Sequence, residues 1–510
     1  MKKSRFLSNI ICLSSIIEVS ILCYAFYWHY FCMDHAEHLH SAWLVWNGKV
    51  PYLDFFQHHN PLMWYILAPI VGLFYNDAII LYVSRIITFA AFSGLFFVLY
   101  KIFTRFMNLS VISLVLSLFI YFSISTSYFL VFEMQPDVFM LLSYFIGFYY
   151  YCEYIETKKQ KSLNIAFLFF TMSFLILQKI LIILFFTGVF SLYLLIKKRI
   201  NLSSLLKASI LPLVILSSFA LYLYHHNILK IYIDFNYKLN FIMQKFHGDG
   251  NFCSSFFATK YLPFLSIFMI KYFMKNGNVY KNMIAFIVIG DYISKYITGA
   301  PYCQYFILSN IICSIIIGNY LVNNISKLKT KIILCVMVIL GGVTFFLAPL
   351  NNQFRIYYNL NKLIYSNHSK EDYLISTIQY INIYGKDVSY YWYGVGNISP
   401  VAYYIYNYNE PFTLNRAIKM YKPKFIFGDI YTNQILIDSI RNGVKVENFI
   451  ENLSKIYDEL PVKRESRLNF IKRWSLNEFL TYDTYFISEN YTPHPIYPVL
   501  IRNDLSEKLI

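Results

Sequence analysis

Apolar residues along this chain come in long runs rather than in alternation. From residue 6 to about residue 350, stretches of Ile, Leu, Phe, Val and Tyr recur, and beyond them the pattern breaks up. Each run is long enough, or nearly so, to carry a helix across roughly 30 Å of hydrocarbon. The runs predict eleven crossings, at about 8–30, 78–100, 109–130, 137–153, 163–178, 180–196, 204–225, 260–275, 280–298, 304–323 and 332–350. Residues 61–75 are apolar but short, and counting them as a crossing would carry Lys101 and Arg105 to the outer face. They read as an interfacial or re-entrant helix.

Composition agrees with the pattern: of 510 residues 57% are hydrophobic and 14% charged, with a mean hydropathy of +0.46. That is far from a soluble globular domain. The formal charge of +16 would suit nucleic acid, so its distribution matters. Residues 1–350 hold 26 Lys and Arg against 12 Asp and Glu, whereas residues 351–510 hold 18 against 16. The excess is clustered between apolar runs, as in Lys2/Lys3/Arg5, Lys101/Arg105, Lys158/Lys159/Lys161, Lys197/Lys198/Arg199, Lys271/Lys275/Lys281 and Lys327/Lys329/Lys331. Such clusters mark cytoplasmic loops, and no aromatic-interleaved basic face of a nucleic-acid binder is present. The N-terminus is thus expected inside and the C-terminus outside. The first run lacks a small-residue cleavage site and reads as a retained anchor. The eight cysteines show no C-x-x-C pair or metal spacing; Cys32, Cys253 and Cys303 are placed near the outer face, where a disulfide between two of them stays open.

The expected organisation is a transmembrane domain over 1–350 and a small α/β or α+β soluble domain over 351–510 on the outer side. In the tail, β-rich runs such as "DVSYYWYG" and "KFIFGDIY" alternate with helical stretches such as "NQILIDSI" and "VENFIENLSKIYDEL". The loop at about 226–259 is long enough for an amphipathic helix lying on the membrane.

Chemistry-bearing residues gather on the outer side. Residues 34–47 read as a helix parallel to the membrane, with Ala36, Leu39, Trp43 and Trp46 forming an apolar face. Asp34, Glu37 and His38, spaced i, i+3 and i+4, meet on the opposite face. This is either a wetted face beside a membrane or a site. His35, Glu37 and His38 are metal-ligand types, but two histidines without a third defined ligand are a weak metal signature. Arg85 lies within the second crossing, Lys179 divides two apolar runs, and Lys295, Tyr302 and Gln304 stand about the end of the ninth. Each could snorkel to water with no further role. Together with His58 and His59 they would supply the cationic or hydrogen-bonding groups that a phosphate-bearing ligand requires.

"MDHAEHLHSAWLVWNGKVPYLDFFQHHNPLMWYILAP", residues 33–69, resembles the first external loop of the polyprenyl-phosphate-sugar-dependent glycosyltransferases of the GT-C fold, a group that includes protein O-mannosyltransferases and the lipid A aminoarabinose transferase. "EMQPDVFML", "FLILQKILIIL" and "APYCQYFILSN" extend the likeness through the membrane half. The resemblance implies an all-α polytopic bundle of about eleven crossings with a soluble outer domain, in the cytoplasmic membrane of a bacterium. It implies a catalytic acid at Asp34 and a second acid at Asp137. Many members carry two adjacent acids in the first loop; here His35 follows Asp34 and the next acid is Glu37, which leaves the share of Glu37 open.

The implied reaction explains the residue types. The donor is a polyprenyl-phosphate-linked sugar; the acceptor is an envelope lipid, polysaccharide or protein. A sugar on a lipid phosphate already has a good leaving group, so the need is for a carboxylate to take the acceptor's proton and for cations to stabilise the departing phosphate. Asp34 is the expected base, with His38, His58, His59, Arg85, Lys179, Lys295, Tyr302 and Gln304 as expected substrate contacts. Metal use stays open, since the family includes members that need none and carboxylates can hold a divalent cation. The competing reading is a transporter or flippase of a lipid-linked glycan, which buried charges among many crossings would also suit.

Overall fold

In hydrocarbon every backbone N–H and C=O must be satisfied within its own segment, so apolar runs of this length become helices. A computed structural model describes residues 12–13, 15–16, 18–20, 22–27, 33–124, 130–240, 278–298, 303–324, 353–376, 382–387, 390, 414–427, 491–493 and 499–505. Over these residues the chain is mostly helical. The helices are α1 (Met33–Trp46), α2 (Leu62–Leu73), α3 (Ile80–Met107), α4 (Val111–Ile124), α5 (Pro136–Thr157), α6 (Gln160–Ile176), α7 (Ile180–Ile196), α8 (Leu202–His225), α9 (Leu229–Ile233), α10 (Val279–Thr298), α11 (Ile307–Asn323), α12 (Gln353–Tyr365) and α13 (Leu414–Tyr421).

Among the described residues, four helices are long and apolar enough to cross a membrane: α3, α5, α8 and Gln304–Asn323, which is α11 with its preceding 3-10 turn. Shorter apolar helices occupy Glu18–Tyr27, α2, α4, α6 and α7. The 12 residues of α2 reach only about 18 Å, too short to span. The predicted crossings at 260–275 and 332–350, the helical stretches expected beyond residue 431, and Cys32 and Cys253 lie outside the described residues.

The chain folds as two compact units interleaved in sequence: Met1–Tyr30, His58–Met63 and Tyr82–Arg355 form the first, and Phe31–Gln57, Trp64–Leu81 and Ile356–Ile510 the second. In the first unit α5 and α6 form a hairpin, α8 packs on α6, α10 on α7, and α11 on α4. Pro136 opens α5, where its missing N–H costs nothing. Lys158, at φ 60°, closes the same helix by returning its N–H to the Tyr154 carbonyl at 2.8 Å.

Small residues set the closest helix contacts. A Cβ on Gly318 of α11 would stand 2.7 Å from the Ser113 carbonyl oxygen of α4 and closer still to Ser117 Oγ. On Gly147 it would stand 2.9 Å from the Ala166 carbonyl oxygen of α6. Because a backbone carbonyl cannot rotate away, Gly318→Ala is expected to cost about 1–3 kcal/mol. It should lower the thermal midpoint of detergent-solubilised protein, and an unchanged midpoint would show that the two helices can part freely.

The second unit carries a four-stranded mixed sheet of β1 (Leu374–Ser376), β2 (Phe425–Phe427), β3 (Tyr491–Pro493) and β4 (Val499–Arg502), in the order β1-β2-β4-β3. β1 pairs with β2 in parallel, Ile375 opposite Ile426, and the other pairs are antiparallel. α1 packs in the same unit against residues 383–387. His40 Nδ1 lies 2.9 Å from the Ile383 carbonyl oxygen and Nε2 lies 2.8 Å from Asp387 Oδ2. The Phe56 N–H donates to the Tyr390 carbonyl at 3.1 Å, and Tyr390 Oη donates to the Tyr52 carbonyl at 2.8 Å. Tyr384, fully buried, is edge-on to the rings of Trp43, Tyr75 and Tyr365.

Candidate functional site

The acidic helix lies in the second unit and is buried more completely than its sequence pattern predicts. Ala36, Leu39 and Trp43 are buried, but so are His35, Glu37, His38, His40 and Ser41, while Trp46, expected on the apolar face, is 53% exposed. Of the two readings of this face, the wetted one gives way to an interior face, and the reason is a set of polar partners. Gln57 Nε2 donates to Glu37 Oε1 at 3.0 Å and to Ser41 Oγ at 2.8 Å, and Ser41 Oγ donates to the Glu37 carbonyl at 2.9 Å. Trp64 Nε1 donates to His38 Nδ1 at 3.1 Å. An accepting Nδ1 fixes His38 as the neutral tautomer with its proton on Nε2.

Asp34 and Glu37 sit one turn apart in different surroundings. Asp34, in the first turn of α1, is half-buried, and the helix N-terminus favours its charge. Burial holds the Glu37 carboxyl well above the usual carboxylate range; the Asp34 charge pushes it the same way, and the Gln57 hydrogen bond only partly opposes them.

The sign of the resulting pH dependence follows. A raised folded pKa means the folded state holds a proton that the unfolded state releases, so stability is greatest below the usual Glu range and falls as pH rises above it. Glu37→Gln should match the wild-type midpoint near pH 4 and exceed it at pH 8. A wild-type midpoint that rises between these values at the expense of the variant would refute the neutral Glu37.

The first unit holds the second cluster. Asp137 lies in the first turn of α5. Lys179 stands in the break between α6 and α7, its Nζ 3.0 Å from Asp137 Oδ1 and 3.4 Å from the centroid of the Tyr305 ring. The same break presents Gln178. Its Oε1 accepts the Asn60 N–H at 3.2 Å, while its Nε2 donates to the His58 carbonyl at 2.9 Å and to the Asn236 carbonyl at 3.3 Å. Asn60 Nδ2 donates to the Phe174 carbonyl, and Tyr232 Oη donates to Asn60 Oδ1 at 2.8 Å. Asn240 Nδ2 reaches the His58 carbonyl at 3.3 Å. The His58–Asn60 backbone is thus clamped by the side chains of Gln178 and Asn240, and the Asn60 side chain is held by Tyr232 and the Phe174 carbonyl. His58 is buried, and burial with the Lys179 charge lowers its pKa to about 3. It is a neutral hydrogen-bonding ring, with His59 at 3.9 Å between centroids.

Of the loop expected at about 226–259, residues 241–259 lie outside the described residues; in the described part Tyr232, Asp234, Phe235, Asn236 and Leu239 are buried. A π-helical turn over Asp234–Leu239 follows α9. Such turns recur at functional positions, and this one contributes the Asn236 carbonyl to the clamp. Gln57, Gln178, Asn60, Tyr232, Asn240 and Tyr305 were not singled out by the sequence reading. The only signal was an amide or phenol in an otherwise apolar neighbourhood.

Other expected contacts are placed elsewhere. Arg85 Nη1 donates to the carbonyls of Ala25 and Phe26 at 3.0 and 2.5 Å, and its guanidinium stacks 3.6 Å from the Phe354 ring centroid. It closes the end of the Glu18–Tyr27 helix. Gln304 lies in the 3-10 turn Cys303–Phe306 that delivers Tyr305. The Lys295 side chain, Tyr302 and the Cys303 side chain lie outside the described residues. Among the described residues no group of three His, Cys, Asp or Glu side chains is arranged to hold a metal.

Removing the Gln57 amide leaves the buried Glu37 Oε1 without this donor, so Gln57→Leu is expected to cost about 1–3 kcal/mol. Thermal unfolding in detergent measures it, and a loss below a few tenths would show that other groups satisfy Glu37. No protein-family model matches the chain, and no curated protein matches its sequence.

Proposed function

We propose that this protein is a membrane glycosyltransferase that moves a sugar from a polyprenyl-phosphate donor to an acceptor hydroxyl. The observation that carries this reading is the Asp34/Glu37 pair: one half-buried carboxyl in the first turn of α1, and one turn on a buried carboxyl that burial holds above the usual carboxylate range. A general base requires an ionised carboxylate that keeps access to its proton donor. Asp34 fits that part, and Glu37, whose carboxyl burial and the Asp34 charge hold above the usual carboxylate range, fits the part of a neighbour that does not compete for the proton.

In the reaction the acceptor oxygen attacks C1 of the sugar while Asp34 takes its proton. The C1–O bond to phosphate breaks with its electron pair on the departing polyprenyl phosphate, and direct displacement inverts C1. Within the first unit, Lys179 is the cation offered to a phosphate-bearing ligand. Asp137, ion-paired with Lys179 at 3.0 Å, is a positioning residue that holds the ammonium rather than a second base. His58, neutral, contributes a hydrogen bond rather than a charge. The site is assigned to the outer face, and the acceptor to an envelope lipid, polysaccharide or protein.

Mass spectrometry of envelope lipids, polysaccharides and glycoproteins tests the reading in a strain lacking the protein. Complementation uses wild type or Asp34→Asn at matched membrane levels. One glycan should lose a single-sugar mass in the deletion and regain it only with wild type. Restoration by Asp34→Asn would remove Asp34 as the base. Accumulation of a complete lipid-linked glycan on the wrong side would favour a flippase.

A further inference from the structure

At one end of the first unit, two short interhelical connections lie side by side. The one between α5 and α6 carries Lys158 and Lys159, with Lys161 just inside α6; the one between α7 and α8 carries Lys197, Lys198 and Arg199, with Lys207 in the second turn of α8. All seven cations are exposed. The two connections are tied together. Lys158 Nζ donates to the Ile155 carbonyl at 3.0 Å and to the Arg199 carbonyl across the gap, and Gln160 Nε2 donates to the Ser204 carbonyl at 3.0 Å. The basic side chains therefore spring from fixed backbone rather than from a free loop.

Among the described residues their charge is not balanced from within. The carboxylates at this end, Glu153 and Glu156, are engaged by Arg105 at 3.1 and 2.9 Å, and Glu153 also accepts from Ser162 Oγ at 2.8 Å. Among the described residues none of the seven cations forms an ion pair with a carboxylate. Partial burial and the adjacent Arg199 charge hold the Lys158 amine below its ordinary value. Crowding like charges in this way is unfavourable unless an anion is shared among them.

The second observation is apolar. Immediately before the Lys197–Arg199 cluster, Leu192 and Ile196 are exposed at i and i+4 on α7; immediately after it, Leu202 and Leu206 are exposed at i and i+4 on α8. Four aliphatic side chains flank the cationic turn, and Ile196 is 77% exposed. A soluble anion has no use for such a border. A headgroup phosphate with two hydrocarbon tails uses both parts.

We propose that this end of the first unit binds an anionic diacyl phospholipid, with its phosphate among Lys197, Lys198, Arg199 and Lys207 and its chains along Leu192/Ile196 and Leu202/Leu206. The assignment rests on the membrane placement of the reading above, not on its chemistry. It makes the lipid a structural ligand of the α7–α8 turn, distinct in headgroup chemistry and in location from the sugar donor.

The test is native mass spectrometry of the full-length protein, purified from membranes and released from mixed micelles of phosphatidylglycerol and phosphatidylcholine. Wild type should keep phosphatidylglycerol in preference to phosphatidylcholine. The triple variant Lys197→Gln, Lys198→Gln, Arg199→Gln should lose that preference by about tenfold or more. The charge-keeping variant Lys197→Arg, Lys198→Arg, Arg199→Lys should retain it, which separates lost charge from a misfolded turn. Equal retention of the two lipids, an undiminished preference in the Gln variant, or loss in the charge-keeping variant would overturn the proposal. So would full displacement of the lipid by soluble glycerol phosphate at matched concentration, which would mean that phosphate alone is recognised. A chain washed from membranes by alkaline carbonate would overturn the membrane reading as well, whereas a membrane-embedded chain indifferent to headgroup would overturn this inference alone.

Discussion

Asp34→Asn is expected to lower sugar transfer by about 10²–10⁴-fold with little change in protein stability, because Asp34 is half-buried at the start of α1 rather than packed in its middle. Loss of a base slows the step in which the acceptor hydroxyl is deprotonated, so kcat should fall and donor KM should stay near its wild-type value. Glu37→Gln separates this account from a generic need for two acids. If Glu37 acts as a neutral group, the amide replaces a protonated carboxyl of the same shape, and transfer should stay within several-fold of wild type. The measurement is single-turnover transfer in proteoliposomes with purified variants. Equal losses in Asp34→Asn and Glu37→Gln would mean that both carboxylates work ionised, against the burial of Glu37 and its repulsion by Asp34.

Lys179→Gln carries the second large effect, on activity and on stability together. On the proposed reading, in which the first unit binds the donor phosphate, removing this cation is expected to cost about 10²–10³ in activity. The same substitution leaves Asp137, whose side chain is 6% exposed, without its 3.0 Å partner, and breaking such a pair costs about 3 kcal/mol. The double variant Lys179→Gln/Asp137→Asn should therefore recover stability without recovering activity. Asp137→Asn alone should keep part of the activity, since it frees the ammonium rather than deleting it. Thermal midpoints and transfer rates for the three variants decide the matter. A double variant as unstable as Lys179→Gln would show that Asp137 does not depend on the ammonium, and an active Lys179→Gln would remove Lys179 from the phosphate.

The helices were legible to different degrees. α3, α5 and α8 follow from uninterrupted apolar runs, and the shortness of the 61–75 run pointed to the non-spanning α2. α1 was legible as a helix, yet its burial was not: a pattern with apolar residues on one side and His, Glu and Ser on the other looks the same whether the polar side meets water or meets Gln57, Trp64 and Asp387. The break between α6 and α7 was visible as Gln178 and Lys179 in an apolar run. That Gln178 would clamp the backbone of His58–Asn60 was not, because the partners lie 118 to 120 residues away in sequence. Arg85 illustrates the converse. A charge inside an apolar run invites a ligand-binding role, and the structure commits it to two helix-end carbonyls and an aromatic ring.

By itself the sequence determined what depends on neighbours along the chain: which segments are apolar enough to be helices, how long they are, and where carboxylates and imidazoles concentrate. Burial of an apolar side chain is non-directional and can be read from composition and period. Tertiary structure alone decided which polar groups meet. It joined Glu37 to Gln57, His40 to Asp387, and Lys179 to Asp137 and Tyr305, and it placed residues 31–57 in one unit with the distant tail. The physical reason is that hydrogen bonds and ion pairs are short-ranged and directional. Their partners are chosen by the path of the backbone in space, and that path leaves no period in the sequence.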